Sequence, residues 1–82
     1  MPVDRALARA PTLQDRPVAV VGTWPEDGRA LLGDRGRLPV DGAAIEPEPG
    51  PVLVWGRIAY EPGQAAYELE AQRWRPWQPS PR

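Results

Sequence analysis

Twelve Pro and eight Gly are spread through 82 residues, and no 3.6-residue apolar periodicity survives for three turns anywhere in the chain. Between these breakers lie short runs rich in Val, Leu, Ile, Trp and Tyr, the pattern of strands joined by tight connections. The sequence therefore predicts an all-β fold. At this length one domain with a small core is expected.

The runs fall into five strands. Pro17 to Trp24 is the first, with Gly22 marking a bend or bulge where a Cβ would otherwise stand. Pro25-Glu26-Asp27-Gly28 is a turn by composition, and Arg29 to Gly33 is the second strand. Asp34-Arg35-Gly36, with Gly36 free to take positive φ, returns the chain as a hairpin into a third strand, Arg37 to Asp41. Gly42 to Pro51 is rich in breakers and permits at most one helical turn around Ala43 and Ala44. Val52 to Tyr60 is the fourth strand, interrupted by Gly56, and Glu61-Pro62-Gly63 is the next turn. For Gln64 to Arg75 composition leaves a helix as a rival, but Tyr67, Leu69 and Ala71 alternate with Glu68, Glu70 and Gln72, which favours a fifth strand.

The ends differ from this middle. Asp4 to Ala10 predicts a short helix capped by Asp4 and stopped by Pro11. Residues 76–82 are Pro-rich with little to bury, and a frayed tail is expected. The organisation read from the sequence is an arm over 1–16, a barrel-forming segment over 17–75 and a tail over 76–82.

Chemistry is narrowed by what is missing. Without Cys, His or Lys, the chain lacks thiol and imidazole metal sites, Cys and His nucleophile systems, Schiff-base lysines and the P-loop lysine. The carboxylate pairs Glu26 with Asp27 and Glu46 with Glu48 lie in turn or linker composition, without the apolar surroundings that tune a catalytic acid. A binding module without catalytic activity, cofactor or metal is expected. No apolar run approaches the roughly 18 residues of a membrane span, and no signal-peptide core is evident. A small domain without disulfides fits the cytoplasm better than an oxidising compartment, and a soluble intracellular chain is the expectation.

Several pieces resemble one barrel family: Val18, Val20 and Gly22 in the first strand; Leu32-Gly33-Asp34-Arg35-Gly36-Arg37-Leu38-Pro39-Val40 across the hairpin; Pro49-Gly50-Pro51-Val52-Leu53-Val54-Trp55-Gly56-Arg57 in the fourth strand; and Tyr67-Glu68-Leu69-Glu70-Ala71 with Trp74 in the fifth. Together, over about residues 17–75, they are similar to the oligonucleotide/oligosaccharide-binding barrel, or OB-fold, a small five-stranded Greek-key barrel, closed or partly open. Many members carry a helix between the third and fourth strands, where this chain has only a Pro-broken stretch. The N-terminal arm is the candidate substitute, with Leu7 and Leu13 as candidate plugs. The resemblance implies single-stranded nucleic acid held across the second and third strands and the loops joining first to second and fourth to fifth.

Alternation supplies a surface independently of the family. With Val18, Val20, Gly22, Ala30, Leu32, Leu38, Val40, Val52, Val54, Gly56, Ile58, Leu69 and Ala71 inward, the outward set is Arg29, Leu31, Arg37, Pro39, Leu53, Trp55, Arg57 and Ala59. Arg35 at the hairpin tip adds a cation, and Trp24 at the first loop offers a second flat face. Cations for phosphates and indoles for bases are what a single-strand groove requires. Trp24, Arg29, Arg35, Arg37, Trp55 and Arg57 are thus the candidate contacts to single-stranded DNA or RNA. The formal charge of −1 lacks the strongly basic balance of a dedicated nucleic-acid binder. Several Trp and the Pro-rich tail also suit a protein-interaction or self-associating subunit, and Trp stacking alone would suit a sugar.

Overall fold

The computed structural model describes residues 1–41 and 45–78. The residues expected to form one helical turn, Ala43 and Ala44, and the end of the expected tail lie outside the described residues. Two short helices, α1 (Val3–Ala8) and α2 (Ala10–Leu13), precede five strands: β1 (Pro17–Trp24), β2 (Ala30–Leu32), β3 (Arg37–Asp41), β4 (Gly50–Glu61) and β5 (Ala66–Pro76). The strands close into a barrel in the order β1-β2-β3-β5-β4. β1, β2 and β3 are consecutive antiparallel neighbours, and β4 returns beside β1, which is a Greek-key arrangement. Closure comes from a parallel contact between β3 and β5, Val40 with Leu69 and Asp41 with Glu70. The expected all-β barrel with a short helical arm is the fold observed.

The fifth segment is a strand because its alternation outweighs its helix-forming composition. Leu69 and Ala71 face the core opposite Ile58 and Gly56, while Glu68 and Glu70 stand opposite Ala59 and Arg57. One core then gathers Val18, Val20, Leu38, Val52, Val54, Ile58, Leu69 and Ala71 from the strands with Val3, Ala6 and Ala10 from the arm. Each fully buried Val or Leu contributes about 1.5–3 kcal/mol relative to exposure.

Three details differ from the sequence reading. Leu31, expected outside, is fully buried, and Leu32, expected inside, is half-buried. Adjacent leucines give alternation nothing to choose between, and the cross-strand partner decides: Leu31 pairs with inward Leu38, and Leu32 with exposed Arg37. Leu53, expected outward, is only 7% exposed, yet it keeps its place on the outer side of β4 opposite Val21 and Arg75. Gly22 carries no bulge, since β1 pairs with β4 without interruption. Its role is close approach: a Cβ there would fall 2.7 Å from both Leu31 and Val3, beside Thr23, which pairs with β2 as well as β4.

The arm also departs from expectation. Pro2, not Asp4, occupies the N-cap position of α1, and Pro11 sits in the first turn of α2, where its missing N–H costs no hydrogen bond. The Asp4 carboxylate instead accepts backbone N–H groups of the β2–β3 connection, from Asp34 (3.1 Å), Arg35 (3.3 Å) and Gly36 (2.9 Å). Gly36 does not take positive φ; the place of its Cβ is filled by Leu7. The arm does pack into the barrel core, but through Val3, Ala6 and Ala10, with Leu7 and Leu13 only half-buried against it.

A register shift between Trp55 and Gly56 places Gln72 of β5 as an extra, unpaired residue: Trp55 faces Arg73 and Gly56 faces Ala71. At this bulge a Cβ on Gly56 would overlap the Glu70 carbonyl oxygen. Gly56→Ala is expected to destabilise the protein by about 3 kcal/mol, at the upper end for overpacking because backbone must move. Gly63→Ala, whose nearest contact is the movable Glu61 carboxylate, should be close to neutral. Urea denaturation of both variants checks this pair. Asp4→Ala should cost about 1–3 kcal/mol, the scale of hydrogen bonds to a charged acceptor, in the same measurement.

Candidate nucleic-acid interface

The outer side of β1, β4 and β5 forms a continuous wall whose rows follow from register. Ala19, Trp55 and Arg73 make one row, and Val21, Leu53 and Arg75 the next. On the other side of Trp55, the row is Pro17, Arg57 and Glu70. The bulge at Gln72 reverses the parity of β5, so that Arg73 and Arg75 emerge outward while Trp74 turns inward opposite Val54 and packs on the core.

Trp55 is half-buried at the centre of this wall. The Arg73 guanidinium carbon lies 4.2 Å from its ring centroid, and that of Arg75 lies 5.7 Å away. Both are within cation–π range, worth about 0.5–1 kcal/mol at an exposed site. The indole thus holds one guanidinium over its face with a second alongside. Arg57, two residues along β4, is exposed on the same wall.

The six sequence candidates do not form one patch. Trp55 and Arg57 are together on β4. Arg29, Arg35 and Arg37 are exposed but belong to β2, β3 and their flanks, which β1 separates from β4 in one direction and β5 in the other. Trp24 is 6% exposed and part of the core, because it continues the inward parity of Val18, Val20 and Gly22. It presents no open face to a base. The residues that sequence reasoning missed are Arg73 and Arg75. Their signal was the triplet Arg73-Trp74-Arg75: an inward Trp between two outward Arg conflicts with inward Leu69 and Ala71 unless one extra residue intervenes.

The wall is electrically divided. From the Arg57 row onward the same strands present Glu70, Glu68 and Glu61, with Asp41 of β3 beside them. Partial burial raises the Glu68 carboxyl above its ordinary value, and the charges of Asp41, Glu61 and Glu70 push in the same direction. Among the described residues no cluster of three or more acids, His or Cys is arranged to hold a metal ion. Among the described residues no helix is long and apolar enough to cross a membrane.

No protein-family model matches the chain, and no curated protein matches it significantly in sequence.

A carboxyl whose folded pKa is raised penalises the native state once it ionises. That penalty is present above the folded pKa and disappears as pH falls below the unfolded value. Glu68→Gln is therefore expected to raise the melting temperature at pH 7 and to give no gain at pH 3. Thermal unfolding at the two pH values checks the sign.

Proposed function

We propose that this protein is a single-stranded nucleic-acid-binding module built on an OB-type barrel, with the ligand lying on the β1–β4–β5 wall. The strand order with its parallel β3–β5 closure supports the OB assignment. The observation that carries the function is the Arg73 guanidinium carbon 4.2 Å from the Trp55 ring centroid, with Arg75 and Arg57 on either side. A guanidinium held over an indole keeps N–H groups for phosphate oxygens and adds to the surface on which a base can stack. Leu53 and Val21 supply apolar surface in the row next to Trp55. Arg29, Arg35 and Arg37 are a separate, peripheral set in this reading, and no catalytic role is assigned to any residue. A cytoplasmic location fits the absence of Cys.

Titration with a fluorescent dT oligonucleotide at two ionic strengths tests the proposal. Binding should quench Trp emission and weaken as salt rises. Removing two phosphate contacts with Arg73→Gln and Arg75→Gln should flatten the log–log salt slope by about 1.4, at roughly 0.7 per contact on a single strand. Arg35→Gln with Arg37→Gln should leave affinity within about twofold, since those cations lie off the wall. Absence of any binding at low salt would remove the reading.

A second reading is self-association through the same wall. It is favoured by the division of charge, because a two-fold axis would set the Arg57, Arg73 and Arg75 end of one copy against the Glu61, Glu68 and Glu70 end of another. Sedimentation showing a dimer that dissociates in high salt supports it; a monomer at all concentrations excludes it.

A further inference from the structure

Where the β4–β5 ladder ends, a cavity of about 380 Å³ is lined by Trp74, Trp77, Pro76, Val52, Glu48 and Gln78, among others. Its volume is at the small end of the range that holds small ligands, which suits one heterocycle. Trp74 is half-buried and packed on the core, so it forms a fixed side; Trp77 is 36% exposed, and its backbone N–H donates to the Pro51 carbonyl at 3.0 Å. The cavity lies at the end of the ladder, with inward Val52 and Trp74 on one side and Trp77 on the other. Arg73, Arg75 and Trp77 follow one another at alternate positions of the same extended chain, about 7 Å apart. A strand tracked by the two arginines would reach Trp77 at the rim of the cavity.

Resting on the nucleic-acid reading above, we propose that this cavity receives one unstacked base of the bound strand and that Glu48 makes it selective for guanine. Guanine is the one common base whose Watson–Crick edge presents two adjacent donors, N1–H and the N2 amino group, which a carboxylate accepts as a pair. Cytosine and adenine each place an acceptor beside their amino donor. Thymine and uracil flank a single N–H with two carbonyl oxygens, which repel a carboxylate. Among the described residues Glu48 is the one acidic side chain lining the cavity, while Trp74, Trp77 and the prolines supply apolar surface for the ring.

The test compares fluorescein-labelled dT12 with the same oligonucleotide carrying one dG at its 5′ end, centre or 3′ end, against the wild-type chain, Glu48→Gln, Trp77→Ala and Arg73→Gln/Arg75→Gln, each checked for folding by circular dichroism. Wild type should bind at least one dG oligonucleotide about tenfold more tightly than dT12, the scale of one good bidentate base contact. Glu48→Gln should abolish that preference while leaving dT12 affinity within about twofold. Trp77→Ala should weaken the dG oligonucleotide by about tenfold, the scale of one lost stacking contact. Wild type that binds dT12 without preferring dG, or a preference that survives Glu48→Gln, overturns the guanine pocket and leaves the wall intact. Failure of every oligonucleotide to bind overturns both. Trp quenching by an Arg-containing polyproline peptide, lost in Glu48→Gln, would assign the cavity to a peptide and overturn the proposal.

Discussion

The surface of this barrel depends on one extra residue. Gln72 has no partner in β4, and Gly56, which faces the neighbouring Ala71, is the residue that allows the β5 backbone to come so close. Without the insertion, Arg73 and Arg75 would continue the inward parity of Leu69 and Ala71, forcing two guanidinium groups into an apolar core. Burying unpaired charge is prohibitive there. The bulge resolves the conflict by turning both arginines out and Trp74 in, and it does so next to Trp55, where the cations meet an indole face.

A second constraint is the size of the core. Five strands, one of them only three residues long, leave the barrel short of apolar volume, and the N-terminal arm supplies it through Val3, Ala6 and Ala10. Small side chains suit this position because the helix must sit close to Gly22, Gly33 and Gly36, where Val3, Asp4 and Leu7 occupy the space of the missing Cβ atoms. The Asp4 carboxylate fixes the approach by accepting three successive backbone N–H groups of the hairpin connection. Arm and hairpin therefore order each other.

Strand positions were legible because breakers and alternation agree: β1 and β3 begin and end where the sequence places them, and β4 and β5 differ by a residue or two at their ends. The inward residues of β1, β3 and β4 were legible for the same reason. What alternation could not resolve were the places where neighbouring residues are equally apolar, as at Leu31 and Leu32, or where the period is broken, as at Gln72. Trp24 shows the other gap: position at a strand end suggested a loop platform, whereas its parity places it in the core. Strand adjacency was the larger loss. The hairpin cations and Trp55 are outward in both descriptions, but only the closed strand order reveals that they stand on different sides of the barrel.

The seams of the barrel are unequal. β4 is laddered to β1 and β5 along most of its length, whereas β1 meets β2 through Thr23 and Leu32 and β3 meets β5 through two residues. Local opening follows the weakest hydrogen-bonded joins, which are the β1–β2 and β3–β5 seams, and is least favoured around Val54 and Trp74. The consequence is a division of labour in entropy: the half of the molecule bearing Trp55 is held by the long ladders, and the freedom that folding leaves is concentrated at the short seams.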